Sequence, residues 1–362
     1  IFFDDDGKAY VVNNDEAPDF KAEYDGHRTI RVQEFDWKND KMVGPRKILV
    51  NKGVHPEEKP IWIEGPHMYK INGKYYLMDA EGGTSVNHSE VIFRSDSPWG
   101  PFVAWKKNPI LTQRHLDSKR PNPITCAGHA DIFQAPDGDW WGVFLACRPF
   151  TQGDEVIPMI QRREGVVRGK EVTFGNFNVN EEFGDTVLGM QWMTLRGPAT
   201  DLYSLTQTPG YLALKCADKS TKERGVPAFV CRRMQHHEYV ASTRMYFNPA
   251  NSREKAGMML FKDETHQLFM AVSQGEEGRT ISLIKVGAAE DKVIATKQLP
   301  QDATCFDLNV YSEGTAYEFA YSIDKGKTWD VLATGIDANY LSTATAGGFT
   351  GSTIALYATS HE

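Results

Sequence analysis

Two side chains that could carry acid–base chemistry occupy equivalent positions in a repeated pattern. Glu64 lies nine residues before Gly73, and His129 lies nine residues before Gly138, where each glycine marks a turn. A carboxylate at the buried start of a strand costs free energy unless it is paired or used. Burial also raises the pKa of a carboxyl group, which suits a general acid that keeps its proton near neutral pH. The alternative for Glu64 is a structural cap of the turn before Pro66.

A repeated hairpin pattern positions these two residues. Each copy has a short apolar strand, a turn at Asp-Gly or Asn-Gly, and an aromatic-rich return strand, as is typical of β-hairpins. The three copies are FFDDDGKAY from Phe2, HMYKINGKYY from His67 and DIFQAPDGDWW from Asp131. Their turn glycines, Gly7, Gly73 and Gly138, are 66 and 65 residues apart. This regular spacing predicts blades of a β-propeller.

Further strands complete the predicted blades. TIRVQEF and KILVN follow the first hairpin, and SEVIFRS and PFVAW follow the second. The first strands of propeller blades line the central axis, so equivalent strand starts converge on one pocket. Glu64 and His129 are therefore predicted to share a pocket.

The pattern changes near Val179. Alternating strands follow, among them GYLALKC, AFVCRRM, YVASTRMYF, AGMMLFK, QLFMAVS, TISLIKV, AYEFAYSI and STIALYA. Many antiparallel strands over this length predict a β-sandwich. The fold is therefore expected to be all-β, with a partial propeller over residues 1–178 and a sandwich over residues 179–362.

Composition excludes some classes of partner. The chain has 362 residues, which suits two domains, and a net charge of -8. Without a basic stripe to neutralise phosphates, nucleic acid is not an expected partner. Apolar runs stay well short of the ~20 residues that cross a membrane, so no membrane partner is expected either.

Three segments then identify a resemblance to a known family. EGPHMYKINGKYYLMDAEGGT, GHADIFQAPDGDWWGVFLACRP and QRREG resemble glycoside hydrolase family 43. The branch that the chain resembles comprises β-xylosidases with a C-terminal concanavalin-like sandwich. The resemblance implies a five-bladed propeller, of which about three blades lie in this chain. It also implies inverting hydrolysis that releases xylose from the non-reducing ends of xylo-oligosaccharides or xylan. The alternatives are an α-L-arabinofuranosidase and a carbohydrate-binding protein without catalysis.

The resemblance also assigns roles to individual residues. Glu64 matches the general acid. His129 matches an axial histidine that orients the acidic cluster or contacts a calcium ion, and its alternative is a hydrogen-bonded core residue. Arg163 matches an arginine that faces the sugar, although an ion pair with Glu164 is the competing interpretation. Phe349 matches an aromatic side chain that the sandwich sends toward the pocket, with the sandwich core as the alternative. The chemistry needs no cofactor, and a structural calcium ion is the only metal implied.

Two carboxylates of the family have no counterpart in this sequence, namely the general base and an aspartate that tunes the acid. We therefore expect a further N-terminal segment of the same enzyme, of roughly 125 residues by two blades at the observed spacing. It would be present as upstream residues or as a separate chain. A polymeric plant substrate favours a periplasmic or secreted protein, and short oligosaccharides leave a cytoplasmic one open.

The remaining acidic motifs have structural interpretations. The run Asp4–Asp6 ends at Gly7, which predicts a hairpin turn and not a calcium site. Asp79 and Glu81 end a strand and are expected to support the pocket or cap the next loop. SIDKGKTW, at Ser322–Trp329, fits the box of sialidases, but it occurs once and inside the sandwich. It is predicted to be a turn.

Overall fold

The computed structural model describes the backbone of residues 1–121, 123–152, 155–166 and 179–361, and the side chains of these residues outside 151–166. The chain divides into two compact units. The first includes Ile1–Pro149, and the second includes residues 179–361. The described residues are almost entirely β-strand and loop. Their helices are too short and too polar to cross a membrane.

Three sheets belong wholly or in part to the first unit. The first sheet is a four-stranded meander, β1 to β4, and the second has the order β5-β6-β7-β8, with β9 also paired to β7. The third sheet has the order β10-β11-β12. The strands are β1 Phe2–Phe3, β2 Ala9–Glu16, β3 Arg28–Asp36, β4 Lys41–Asn51, β5 Glu64–Ile71, β6 Lys74–Glu81, β7 Ser89–Ser95, β8 Val103–Ala104, β9 Leu111–Thr112, β10 Thr125–Gln134, β11 Trp140–Gln152 and β12 Glu155–Val166. Short 3-10 helices lie at Pro18–Phe20 and Pro56–Glu58. The three predicted hairpins are confirmed as β1-β2, β5-β6 and β10-β11.

The second sheet packs against the first and the third sheet at the same time. One apolar cluster joins it to the first sheet and includes Ile30, Val50, Leu77, Val91 and Phe93. The other joins it to the third sheet and includes Met78, Ala127, Ala130, Phe144 and Ala146. The consecutive residues Leu77 and Met78 of β6 therefore enter opposite clusters, which explains why the strand is buried on both faces from Leu77 to Ala80.

The turn at Asp4–Asp6 connects β1 and β2. The Gly7 N–H donates to the Asp4 carbonyl at 3.1 Å. The Asp4 carboxylate accepts hydrogen bonds from Lys70 Nζ at 2.6 Å and from the Tyr75 hydroxyl at 2.5 Å. The run is thus a hairpin turn, as predicted, and its first carboxylate ties the first sheet to the second.

The second unit is built mainly from two sheets packed face to face. A seven-stranded sheet has the order β13-β16-β25-β18-β19-β20-β21, a four-stranded sheet has the order β17-β22-β23-β24, and β14 pairs with β15. The strands are β13 Met193–Thr194, β14 Tyr203–Ser204, β15 Ala213–Leu214, β16 Ala228–Arg233, β17 Glu238–Tyr246, β18 Lys255–Asp263, β19 His266–Gly275, β20 Gly278–Val286, β21 Lys292–Gln298, β22 Cys305–Glu313, β23 Ala316–Ser322, β24 Asp330–Asp337 and β25 Thr353–Thr359. A 3-10 helix, Ala338–Leu341, and α1, Thr343–Ala346, precede β25. Residues from both sheets, including Met258, Leu268, Phe306 and Phe319, form the core between them, as in a β-sandwich.

The SIDKGKTW segment is the turn between β23 and β24. The Asp324 carboxylate accepts hydrogen bonds from the Thr328 hydroxyl at 2.7 Å, the Thr328 N–H at 2.9 Å and the Ser322 hydroxyl at 2.8 Å. The bond from the Thr328 hydroxyl is the largest of the effects that lower the pKa of Asp324 to about 2. The motif is a hydrogen-bonded turn, as predicted.

Candidate active site

Glu64 is the first residue of β5, and its backbone enters an irregularity of the ladder. Glu64 is opposite Ala80 and His67 is opposite Met78, so β5 holds one residue more than β6 between these pairs. This arrangement is a β-bulge, which re-aims side chains and is frequent beside active sites. Gly65 in the bulge has a φ of +59°, a conformation that favours glycine.

His129 lies in a matching bulge of β10. Gly128 is opposite Leu145 and Asp131 is opposite Val143, so β10 again has one extra residue. The φ of His129 is +55°, and its side chain is exposed. A Cβ atom added to Gly65 would lie 2.5 Å from His129 Nε2. The structure therefore brings the His129 ring against the residue that follows Glu64.

The predicted register of His129 is wrong in detail. His129 is the fifth residue of β10, not a strand start. The turn after β5 contains Asn72 and Gly73, whereas the turn after β10 covers residues 135–139. Counting back from the turn glycine therefore does not give equivalent ladder positions. Relative to the bulges, His129 corresponds to Gly65, and the two strands approach each other there.

A hydrogen bond also joins β5 and β10. The Tyr69 hydroxyl donates to Asp131 Oδ1 at 2.6 Å and accepts from the Ile132 N–H at 3.1 Å. Burial, followed by the bond to Asp131, raises the pKa of Tyr69, so its hydroxyl keeps its hydrogen at physiological pH. The polar link fixes the first strand of the second sheet against that of the third.

Glu90 on β7 is a functional candidate that the sequence reasoning missed. It is fully buried, and its Oε2 accepts the Ala130 N–H at 2.8 Å and also the backbone N–H of His129. Burial raises the pKa of Glu90 to about 8 although these two donors lower it. A signal was present in the sequence, because the acidic Glu90 stands directly before the apolar run Val91-Ile92-Phe93.

His88 makes a second contact from the same strand region. Its Nδ1 lies 2.8 Å from the Cys126 carbonyl oxygen. A carbonyl can only accept, so Nδ1 carries the hydrogen. Burial lowers the pKa of His88, and the ring is therefore neutral near pH 7.

Asp79 and Glu81 have separate roles. Glu81 Oε2 accepts the Val54 N–H at 2.9 Å, so Glu81 caps a loop, one of the two predicted roles. Asp79 is fully buried on the side of Val91, and neither of its carboxyl oxygens has a hydrogen-bond partner among the described residues. Burial, with added repulsion from Glu90 and Glu81, raises the pKa of Asp79 well above its usual value. Asp79 and Glu90 do not reach solvent, so neither is placed to activate a water molecule.

Arg163 and Phe349 are the other predicted site residues. Arg163 belongs to β12, but its side chain lies outside the described part of the chain. Phe349 lies before β25 with 61% of its surface exposed. The alternative that Phe349 belongs to the sandwich core is therefore wrong.

His129 belongs to no group of three or more converging His, Cys, Asp or Glu side chains among the described residues. Among the described residues, the one group of three or more His, Cys, Asp or Glu side chains with converging ligand atoms is His55, Glu57 and Glu58, which are all exposed. Contact of His129 with a calcium ion therefore stays a prediction of the resemblance, and the chemistry derived below uses no metal ion.

Comparisons with known proteins give the same family for both units. Residues 1–174 match the profile of Glycosyl hydrolases family 43, and residues 180–362 match that of the Beta xylosidase C-terminal Concanavalin A-like domain. A "Xylosidase/arabinosidase" of Butyrivibrio fibrisolvens is 32% identical over 100% of this chain and 72% of its own length. The "Non-reducing end alpha-L-arabinofuranosidase BoGH43B" of Bacteroides ovatus is also 32% identical, over 82% of this chain and 59% of its own length. The crystal structure of a GH43_12 protein from a capybara gut metagenome superposes with a TM-score of 0.84 at 32% identity, covering 99% of this chain and 71% of that one.

These relatives also bear on the expected partner. The Butyrivibrio protein matches the whole of this chain within one polypeptide. The comparisons therefore give no support to a separate chain that completes the enzyme.

Proposed function

Since the chain belongs to glycoside hydrolase family 43, we propose that it is an exo-acting, inverting enzyme that releases xylose from the non-reducing ends of xylo-oligosaccharides or xylan. The family makes the chain a glycoside hydrolase, which counts against the alternative of a binding protein without catalysis. The observation that carries the proposal is the placement of Glu64 in a bulge of β5, with the His129 ring against Gly65.

Glu64 is the proposed general acid. Inverting glycosidases protonate the leaving oxygen with one carboxyl group and activate water with another, the two being about 6.5–9.5 Å apart. Glu64 would supply the proton, while His129 and Arg163 would hold the sugar; a substrate contact of Phe349 stays a prediction of the resemblance. The general base is not assigned among the described residues.

The three sheets of the first unit are proposed to be blades of a five-bladed propeller. Two observations support this. The first sheet is a four-stranded meander, and each sheet begins with the strand that carries the repeated hairpin. In such a fold β5 and β10 would be innermost strands of adjacent blades.

Release of L-arabinofuranose is the second candidate activity. The names of the Butyrivibrio and Bacteroides relatives include this activity. Rates on nitrophenyl β-D-xyloside, nitrophenyl α-L-arabinofuranoside and xylobiose would rank the substrates. NMR of the first product formed from a β-xyloside should show α-xylose. A β-anomer as first product would contradict inversion, and turnover of the arabinofuranoside alone would replace the proposed substrate.

A periplasmic or secreted location remains a proposal that follows from the substrate, because xylan is too large to enter a cell. Fractionation of the source cells, with activity measured in each compartment, would test it. Activity confined to the cytoplasm would contradict it.

A further inference from the structure

We propose that Glu90 and His88 are positioning residues that hold the bulge of β10, and so fix the His129 ring beside Glu64. The inference rests on the proposed function, because it gives these residues a purpose in the same site. Neither residue is expected to touch the sugar.

The bulge is a strained segment that needs external support. Cys126 and His129 both have a φ of +55°, and non-glycine residues in this region cost roughly 1–3 kcal/mol each. The β10-β11 ladder is irregular on both sides of Gly128. The ladder alone therefore does not determine where the His129 backbone lies.

Contacts from the start of β7 supply this support. His88 donates to the Cys126 carbonyl at 2.8 Å on one side of His129, and Glu90 accepts from Ala130 at 2.8 Å on the other side. Glu90 also accepts the N–H of His129 itself. The contact points thus flank the strained residue along the chain.

Close packing limits any movement of the bulge. A Cβ atom on Gly128 would lie 2.8 Å from the His88 ring and from the Ser89 carbonyl oxygen. The rings of His88 and His129 meet edge to face with centroids 6.5 Å apart. The β10 backbone therefore lies directly against β7, and the His129 ring is held between His88 and Gly65.

A purely structural explanation accounts poorly for an acidic residue here. A buried carboxyl group is costly, and an apolar side chain of similar volume is often neutral or stabilising in its place. Glu90 points into the cluster that contains Met78 and Ala130, where an apolar residue would fit by polarity. An apolar residue could not accept the two backbone N–H groups, of His129 and Ala130, that the Glu90 carboxylate accepts. Since a displacement of about 1 Å can cost 10²-fold in rate, such contacts matter for His129.

The test is a double-mutant cycle between Glu90 and His129. Glu90→Leu should lower kcat on xylobiose about 100-fold, while Glu90→Gln, whose amide oxygen can still accept, should lose less than about 10-fold. In the His129→Ala background, Glu90→Leu should have little further effect on kcat, because both changes remove one function. If the fold reductions in kcat caused by Glu90→Leu and by His129→Ala multiply in the double variant, the proposal is wrong.

Two controls separate this outcome from others. Val91→Ala removes a neighbouring buried side chain on the opposite face of β7 and should lower the Tm without lowering kcat more than about twofold. If Glu90→Leu does not fold, His88→Ala takes its place in the cycle, with the same criterion. Glu64→Gln is measured in parallel. If Glu64→Gln stays fully active, the proposed function is wrong. If Glu64→Gln is inactive but the kcat reductions of the double-mutant cycle multiply, only the positioning role is wrong.

Discussion

Gly65 and His129 touch across two neighbouring sheets, and the contact leaves no room for a side chain at position 65. The distance from a Cβ atom on Gly65 to His129 Nε2 would be 2.5 Å, below any normal contact. The residue before Gly65 is the proposed acid. A small side chain at position 65 therefore probes the site without removing a reactive group.

Gly65→Ala should reduce turnover about 10- to 100-fold, because the new methyl group displaces the His129 ring. Gly73→Ala is the matched control. Gly73 has a φ of +73°, and a Cβ atom there would meet no atom within 4 Å. Both changes should cost about 1 kcal/mol of stability from the backbone conformation, measured by urea denaturation. Equal turnover of the two variants would contradict the importance of the Gly65–His129 contact.

Glu64→Gln should remove most turnover of substrates with poor leaving groups and keep the fold. Substrates with activated phenol leaving groups need less protonation, so their hydrolysis should fall much less. Steady-state rates on xylobiose and on dinitrophenyl xyloside give the comparison, with the exposed Glu58→Gln as control. A loss of similar size on both substrates would count against Glu64 as the acid.

Asp79→Asn should change how stability depends on pH. The pKa of Asp79 is raised in the folded state, so the folded protein binds a proton that the unfolded chain releases above about pH 4. The stability of the wild type therefore falls as pH rises above that value, whereas the asparagine side chain of the variant does not titrate and carries no such dependence. At pH 7 the variant should be more stable than the wild type, and the difference should shrink toward pH 4.

Thermal unfolding at pH 4, 5.5 and 7 would measure this effect. Each 1 kcal/mol corresponds to a Tm change of about 2–4 °C for a protein of 150–250 residues. Asp5→Asn, at an exposed position of the β1-β2 turn, serves as control. A constant Tm difference between wild type and Asp79→Asn at all three pH values would refute the explanation.

Phe349→Ala should raise KM or lower kcat by a few-fold while the Tm stays within about 1 °C. The ring is 61% exposed in the second unit, so its removal leaves no cavity in the core. Steady-state rates on xylobiose give KM and kcat for the variant, and a thermal scan gives its Tm. Unchanged kinetics would remove Phe349 from the site.

Much of the fold could be predicted because turn chemistry and strand period are local properties. The glycines at positions 7, 73 and 138 mark the three hairpins, and SEVIFRS corresponds to β7 without error. The alternation in the second half predicted most sandwich strands, although GYLALKC contains only the two-residue strand β15.

The position of His129 and the role of Glu90 depend on non-local geometry. A bulge adds one residue without any marker in the sequence, and turns of different length shift the count from a glycine. Glu90 meets Ala130 forty residues further along the chain, and only the packing of two sheets brings them together. The sequence shows the acidic residue, but it does not show which backbone N–H groups that residue binds.

The double packing of β6 has a consequence for how the first unit opens to solvent. Leu77 and Met78 enter clusters on opposite faces of β6. We therefore expect the backbone N–H groups of this strand to become exposed to solvent only when the packing against both neighbouring sheets is lost. They should be among the slowest of the unit to exchange with deuterium. Glu64 pairs with Ala80 of this strand, so the proposed proton donor is attached to the part of the unit that opens last.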